Sequence, residues 1–274
     1  MPELPEVETV KRIIGRQVQG KRITGIEIIN NKVIAHPVEQ EFLKEVNNSR
    51  IINLQRRGKY LCFHLENKNK LVLHLRMTGC LLLMPDTYPR EKHTHVIFTM
   101  EDGHELRYID TRRFGRFWLL KEAEDDIFTG ISKLGPEPFD EDFTSSYLYE
   151  KLGKRKKSIK ECLLDQTLVT GIGNIYASEI LFNAGIRPNR PCNDLTIKNY
   201  ENLTEMIPET LNYFIEKNAI SPEDYLAGKG MDYRNTPFLK VYGHDNEPCP
   251  KCGSILCKVV VGGRSSVYCP QCQK

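Results

Sequence analysis

Residues 249–272 read CPKCGSILCKVVVGGRSSVYCPQC, a stretch with two Cys-x-x-C pairs separated by sixteen residues. Each pair can place two thiolates on one tetrahedral ion, and a hairpin would bring the two pairs together. Free core cysteines would not explain two matched pairs in a stretch too small to have its own core. We therefore predict one structural zinc ion with four ligands, namely Cys249, Cys252, Cys269 and Cys272. Because four sulfur ligands close the site, the zinc would fold the hairpin and not catalyse.

The hairpin is predicted from two β-type runs, Lys258–Val261 and Ser265–Tyr268, on either side of a Gly-Gly-Arg turn. Zinc would hold Arg264 at the tip, where its guanidinium can bind a phosphate through two N–H groups. A single exposed arginine is usually only solvated. Its place on a zinc-held tip favours a contact with DNA.

The whole chain has the composition of a soluble globular protein. Its 274 residues are enough for two compact domains, and hydrophobic and charged residues make up 40% and 27% of them. No run approaches the length of a membrane span and no signal-peptide pattern opens the chain, so we expect a cytosolic protein. The nine cysteines, an odd number, argue against a closed disulfide framework.

Charge is distributed unevenly along the chain. Residues 121–150 are rich in acidic side chains, and a basic run follows at 154–157 and at Lys160. A charge run is often only a solvated face, but the other features of this chain favour a polyanionic partner.

The hydrophobic pattern divides the chain into parts. After an N-terminal helix, short runs rich in β-branched and aromatic residues favour a sandwich of two mostly antiparallel sheets. These runs are Ile23–Ile29, Ile51–Gln55, Tyr60–Leu65, Leu71–Arg76, His95–Met100, Glu105–Asp110 and Phe117–Leu120. A linker, LGPEP at 134–138, precedes helical stretches at Ser145–Leu152, Ser158–Leu164, Asn174–Ala184 and Ile197–Asn218. We predict an α+β multidomain fold with domains at 1–134, 135–239 and 240–274.

Two glycines precede one of these helices, in LVTGIGNIYA at residues 168–177. They let backbone N–H groups approach an anion where the helix N-terminus adds a partial positive charge. Such a turn is often just a tight connection, but a basic run lies a short distance upstream. Together they predict two helices joined by a tight loop that binds a DNA backbone.

Several motifs together resemble those of the formamidopyrimidine-DNA glycosylases, a family of bacterial DNA-repair enzymes. They are PELPEVET at 2–9, QRRGKY at 55–60, HLRMTG at 74–79, DTRRFG at 110–115 and LGPEP at 134–138. With the glycine loop and the cysteine pairs, the resemblance runs from residue 2 to residue 274. It implies an N-terminal β-sandwich flanked by helices, a helix–two-turn–helix domain and a zinc-finger β-hairpin. It also implies a bifunctional enzyme, both DNA glycosylase and abasic-site lyase.

The resemblance makes Pro2 the nucleophile once Met1 has been removed. A terminal α-amine titrates near neutrality, so a useful fraction of it is nucleophilic at pH 7. A secondary amine that attacks C1′ gives a charged iminium, an electron sink for base loss and for β,δ-elimination. Glu3 is the implied general acid/base beside the sugar, and Lys59 and Arg264 complete the predicted catalytic set.

Other matching positions are implied to hold the DNA. Met77, Arg112 and Phe114 match the set that fills the hole left by an extruded nucleotide, although Met77 and Phe114 alone would more often be core residues. Positions that grip phosphates or the lesion nucleotide are matched by His93, Arg155, Lys160 and Asn174. The implied partner is double-stranded DNA with an oxidised base or an abasic site, bound by a monomer in the bacterial cytoplasm, at the nucleoid.

One segment departs from the family pattern. Where many relatives carry a Gly-Gly-Ser/Thr turn, residues 217–222 read KNAISP. Alanine and isoleucine lack glycine's freedom at positive φ, so we expect the loop at 218–237 to differ. The predicted substrates are formamidopyrimidines and 8-oxoguanine opposite cytosine. The alternatives are an endonuclease VIII-like preference for oxidised pyrimidines and a zinc-finger DNA-binding protein without catalysis.

Overall fold

The computed structural model describes residues 2–122, 124–230 and 233–274. Met1, whose removal is predicted, and residues 231 and 232 of the predicted loop lie outside the described residues. The chain forms two compact units. The first contains Pro2, Glu6–Ser132 and Asn218–Tyr233, and the second contains Glu3–Pro5, Lys133–Lys217 and Arg234–Lys274. None of the described helices combines the length and the apolar character needed to cross a membrane.

The first unit is a sandwich of two β-sheets, as predicted. One sheet has the strand order β1-β7-β8-β6, with β1 at Ile23–Ile28, β6 at Gly79–Pro85, β7 at Thr94–Met100 and β8 at His104–Asp110. The other has the order β2-β9-β5-β4-β3, with β2 at Ile34–His36, β3 at Ile51–Arg57, β4 at Tyr60–Leu65, β5 at Lys70–His74 and β9 at Arg116–Leu120. Strands β2 and β9 are parallel, and the other neighbouring strands pair antiparallel.

Helix α1 (Leu4–Val18) packs one face into this sandwich. Val7, Val10 and Ile14 recur at helical spacing, are completely buried and belong to the same apolar cluster as Leu73 and Phe98 of the strands. Helix α2 (Glu39–Val46) adds Phe42 and Val46 to that cluster.

Strand β6 was not predicted, because its sequence, GCLLLMP, shows no alternation of apolar and polar residues. The structure gives the reason. In addition to its sheet neighbour β8, β6 is covered by helix α7 (Pro222–Ala227) and the turn after it, so both faces of the strand are buried. The Cys80 thiol of β6 lies 3.6 Å from the Lys229 carbonyl oxygen. Helix α7 itself lies in the segment that was expected to be a loop.

The second unit holds the remaining helices and the C-terminal hairpin. The helices are α3 at Ser145–Leu152, α4 at Ile159–Leu164, α5 at Asn174–Asn183 and α6 at Ile197–Lys217. Strands β10 (Cys257–Val261) and β11 (Arg264–Tyr268) form the predicted hairpin. Helix α4 begins at a capping box, in which the Ser158 and Glu161 side chains each bond the other's backbone N–H. Turns at 165–173 join α4 to α5, which is the predicted helix–two-turn–helix arrangement.

Candidate active site

Glu3 and Leu4 are fixed at the start of helix α5 and the loop before it. Pro2 is buried, and Glu3 after it is 1% exposed. The Glu3 carboxylate accepts hydrogen bonds from the backbone N–H groups of Gly173 at 2.8 Å, Ile175 at 3.0 Å and Tyr176 at 3.3 Å. The helix N-terminus carries a partial positive charge, so it favours a carboxylate at this place.

The glycine loop was expected to bind a DNA backbone, and three of the N–H groups at the helix start bind the protein's own Glu3 carboxylate. A DNA contact of this loop through its other groups stays a prediction. Both glycines make room for the N-terminal segment. A Cβ on Gly173 would lie 2.3 Å from the Glu3 carboxyl carbon, and one on Gly171, where φ is +90°, would lie 2.4 Å from a Leu4 methyl carbon.

Lys160, which was predicted to grip DNA, lies inside the second unit. Its side chain has no exposed surface, and its ammonium group donates to Ser178 Oγ at 2.9 Å and to the Ser265 carbonyl oxygen at 3.2 Å. Burial lowers the pKa of Lys160 to about 8, against the opposite effect of the nearby Glu3 carboxylate. Lys160 therefore joins α4 to α5 and β11 from inside the second unit.

The other predicted residues of the second unit lie closer to the surface. Arg264 is exposed and begins β11, directly before the residue that Lys160 holds. Arg155 is half-buried, and its Nε donates to the Lys151 carbonyl oxygen at 2.9 Å. Asn174 is the first residue of α5, and its buried Oδ1 has no hydrogen-bond partner among the described residues. A buried amide oxygen in this state is suited to accept a bond from a ligand.

The four predicted zinc ligands come together in the second unit. Their sulfur atoms all lie within 4.8 Å of one another. Four zinc–sulfur bonds of about 2.3 Å in a tetrahedron require sulfur atoms about 3.8 Å apart. The distances of 3.9 Å from Cys249 to Cys272 and 3.5 Å from Cys252 to Cys269 fit this geometry. Backbone N–H groups of Lys251 and Cys272 also point at the sulfur atoms of Cys249 and Cys269, a usual outer shell for thiolate ligands. The predicted site for one zinc ion is confirmed.

The first unit carries the residues predicted to fill the hole in the DNA. Met77 and Phe114 are 38% and 46% exposed, which excludes the core interpretation. They line a shallow cavity of about 430 Å³ together with Arg76 and Arg116. The Arg112 guanidinium carbon lies 4.6 Å from the centre of the Phe114 ring. The structure thus brings Met77, Arg112 and Phe114 to one exposed place.

Lys59 lies in the turn between β3 and β4, beside His74 of β5. Burial lowers the pKa of His74 to about 3, and the positive charges of Arg76 and Lys59 act in the same direction. The neutral ring accepts the Arg76 backbone N–H at Nδ1 over 3.0 Å. His93, another predicted contact, has φ +70°, and its carbonyl oxygen accepts the Asp110 N–H at 3.1 Å.

Comparison with known proteins identifies the family to which this chain belongs. Family models match the formamidopyrimidine-DNA glycosylase N-terminal domain at residues 1–117, the H2TH domain of the same enzymes at 134–224, and a zinc finger found in FPG and IleRS at 246–274. The chain belongs to the formamidopyrimidine-DNA glycosylase family. The formamidopyrimidine-DNA glycosylases of Pelotomaculum thermopropionicum and Bacillus subtilis are each 43% identical to it, and both alignments cover 100% of this chain and 99% of the relative.

Solved formamidopyrimidine-DNA glycosylases have the same fold. The Lactococcus lactis enzyme in complex with DNA that contains Fapy-dG is 37% identical and has a TM-score of 0.88, over 99% of this chain and 100% of that one. The same enzyme with DNA that contains an oxidised pyrimidine is 36% identical and has a TM-score of 0.89, with complete coverage of both chains.

Some residues of this formamidopyrimidine-DNA glycosylase family member were not singled out from the sequence. Glu179 of α5 is fully buried, and its carboxylate accepts the backbone N–H groups of Lys240, Val241 and Tyr242 at 2.8–3.0 Å, which fixes the chain leading to the cysteine hairpin. Asp110 was named in the sequence only as the first residue of the DTRRFG motif, and no role was predicted for it. An acidic residue at the end of a predicted strand, before two arginines, is the signal that could have marked it.

Proposed function

We propose that this chain is a base-excision-repair enzyme that removes formamidopyrimidines and 8-oxoguanine from duplex DNA and then nicks the strand. The observation that carries the proposal is the fixed N-terminal segment, in which Pro2 directly precedes a carboxylate fixed on a helix N-terminus. The Lactococcus lactis relative has been solved with DNA containing Fapy-dG and with DNA containing an abasic site, which supports this substrate class.

In the proposed mechanism the Pro2 nitrogen, free once Met1 is removed, attacks C1′ of the damaged nucleotide. The N–C1′ bond forms as the bond from C1′ to the base breaks, and the base leaves with that electron pair. Protonation of the sugar ring oxygen by Glu3 opens the ring and gives the iminium. Loss of a proton from C2′ then expels the 3′ phosphate, and a second elimination expels the 5′ phosphate. Glu3 as proton carrier and Pro2 as nucleophile are the two residues assigned to bond changes.

The other residues are assigned to holding the DNA. Lys59 and Arg264 contact phosphates near the lesion and aid the elimination steps, while His93, Arg155 and Asn174 bind the strand. Met77, Arg112 and Phe114 enter the space left by the extruded nucleotide, because their exposed apolar and cationic surfaces suit contact with bases. Lys160 supports helix α5 and the hairpin that carries Arg264 from inside the second unit. When bound, zinc fixes the hairpin that carries Arg264.

The organisation of the molecule completes the proposal. We assign catalysis to residues 1–134, DNA binding to 135–239 and the zinc finger to 240–274. The chain acts as a monomer in the bacterial cytoplasm, at the nucleoid. A preference for oxidised pyrimidines is the second candidate, since the Lactococcus lactis relative has also been solved with such DNA. Excision rates on duplexes with single defined lesions distinguish the two preferences.

Borohydride trapping on abasic DNA tests the nucleophile. The wild-type protein forms a covalent adduct, because borohydride reduces the iminium to a stable amine. Pro2→Gly loses most of this adduct, whereas Pro5→Ala, which changes another proline of the same segment, keeps it. A wild-type protein with Met1 removed that gives no adduct rules out the nucleophile and leaves the non-catalytic zinc-finger alternative. Equal trapping by Pro2→Gly shows that proline is not specially required.

A further inference from the structure

Asp110, the last residue of β8, is fully buried, and its carboxylate receives four hydrogen bonds. One oxygen accepts the Thr78 hydroxyl and the Arg112 N–H, the latter at 3.1 Å. The other accepts the Tyr108 hydroxyl at 2.9 Å and the Gly115 N–H at 2.9 Å. A carboxylate has about four lone-pair positions, so all of them are used.

Three of these donors, Thr78, Arg112 and Gly115, belong to the two loops that carry the residues proposed to fill the space left by the extruded nucleotide, and the fourth, Tyr108, belongs to β8. Thr78 follows Met77, while Arg112 and Gly115 enclose Phe114. The loops are also joined directly, because the Thr78 hydroxyl oxygen accepts the Arg112 N–H at 3.2 Å. Asp110 therefore fixes both loops at once.

A third loop is tied to the backbone of the same residue. The Asp110 N–H donates to the His93 carbonyl oxygen at 3.1 Å, and the His95 ring Nε2 lies 2.7 Å from the Asp110 carbonyl oxygen. His93 is itself among the residues assigned to DNA.

Both loops pack closely against Tyr108, which is a neighbour of the carboxylate. A Cβ on Gly115 would lie 1.8 Å from the Tyr108 hydroxyl oxygen, and one on Gly79 would lie 2.9 Å from it. Both loops therefore close over Tyr108, whose hydroxyl group is oriented by Asp110. A small shift of the carboxylate is passed on to both loops, because close-packed groups transmit displacement.

We infer that Asp110 is a positioning residue that sets Met77, Arg112 and Phe114 relative to one another and so determines how the enzyme discriminates the base opposite the lesion. This inference rests on the proposed function. Asp110 is 0% exposed and does not touch DNA itself. It acts through Arg112, whose guanidinium must meet the edge of the orphaned base at a defined distance and angle.

The test is Asp110→Asn. An amide keeps the shape of the side chain, but its NH₂ group cannot accept the Gly115 N–H or the Arg112 N–H, so one loop is released. We expect the ratio of formamidopyrimidine excision opposite cytosine to that opposite adenine to fall roughly tenfold, the size of one lost base-reading contact. Borohydride trapping on abasic single-stranded DNA, which has no opposite base, stays at the wild-type level.

Two further variants separate positioning from general stability. Glu105→Gln makes the same charge change on the same strand, where it breaks the 2.7 Å pair with Arg107, and should lower the melting temperature but not the ratio. Thr78→Val removes one donor to Asp110 and the direct link between the loops, at a half-buried position, and should lower the ratio in a folded protein even if Asp110→Asn does not fold.

The outcomes are distinct. An unchanged ratio in both Asp110→Asn and Thr78→Val, or an equal fall in Glu105→Gln, overturns the inference while trapping remains. Absence of trapping in the wild-type protein with Met1 removed instead overturns the proposed function on which the inference rests.

Discussion

Gly173 and Glu3 share one small space. The Gly173 N–H donates to the Glu3 carboxylate at 2.8 Å, and a Cβ in place of its hydrogen atom would lie 2.3 Å from the carboxyl carbon. The backbone of Gly173, at φ −127° and ψ −163°, is open to any residue. Glycine is thus required here for space and not for backbone freedom.

Adding a single methyl group at position 173 should therefore disturb the position of the Glu3 carboxylate and little else. Gly173→Ala should displace the Glu3 carboxylate and lower base excision by roughly 10²–10⁴-fold, as loss of a general acid/base does. Gly15→Ala is the control, because its Cβ would meet Leu54 at an ordinary 3.5 Å. Single-turnover excision and the melting temperature would be measured for both. Wild-type excision by a folded Gly173→Ala protein would show that the position of Glu3 does not matter for the reaction.

At the level of elements, the hairpin of β10 and β11 with its four cysteines is the part of the second unit that depends most on a bound zinc ion. Its strands β10 and β11 contribute few buried side chains, and the cluster beneath them contains Cys249 and Cys269 themselves. A hairpin with so little apolar surface is marginal without further bonds. Zinc binding supplies them.

The hairpin offers a matched pair of cysteines for a test. Cys252→Ser removes a ligand, so we expect the zinc content to fall and binding to abasic-site DNA to weaken roughly tenfold or more, the loss of one charge-assisted contact by Arg264. Cys257→Ser is the same change on β10, outside the four-sulfur cluster, and should keep both. Metal analysis and a DNA-binding titration provide the readouts. Full zinc content in Cys252→Ser would contradict the ligand assignment.

The comparison of sequence and structure is also clearest for elements. Local signals predicted α3, α5 and the hairpin well, because caps, glycines and periodicity lie within each element. Strand β6 and helix α7 were missed because the burial of each depends on the other, and Cys80 of β6 contacts Lys229, in the turn after α7, across 149 residues of sequence. The spacing of the four cysteines in the sequence was sufficient to predict the zinc site. The burial of Lys160 depends on partners 18 and 105 residues away, and the bond from Thr78 to Asp110 joins residues 32 apart, so no local pattern contains these contacts.

For the molecule as a whole, several buried groups of the first unit take up protons less readily than they do in an unfolded chain. The pKa of His74 is lowered to about 3, chiefly by burial. Burial raises the pKa of the Asp110 carboxyl group, but hydrogen bonds from Gly115, Thr78, Tyr108 and Arg112 outweigh it and lower the pKa overall. In the acid range these two groups therefore bind protons more strongly in the unfolded chain, and their contribution to stability rises with pH up to about 7.

As the pH is lowered, the contribution of His74 to the free energy of unfolding should be lost before that of Asp110. Its contribution is fully present above pH 6.5 and is lost progressively as the pH falls toward 3, so between pH 7 and pH 5 the free energy of unfolding should drop by about 2 kcal/mol. The Asp110 contribution is lost only below pH 4. Chemical denaturation at a series of pH values measures this. In His74→Gln the curve should be flatter between pH 7 and 5, and an equally steep curve would assign the effect to other groups.

The hydrogen bonds to Glu3 can form only late during synthesis on the ribosome. Its partners lie 170–173 residues further along the chain, so at about 5–20 residues per second the new N-terminus waits roughly 10–35 s before they emerge. Throughout that interval residues 2–4 have none of these partners and are open to an aminopeptidase. Once Glu3 has docked, Pro2 is buried. We therefore expect Met1, whose removal the proposed nucleophile requires, to be removed from the nascent chain, and a protein that folds with Met1 attached to be inactive.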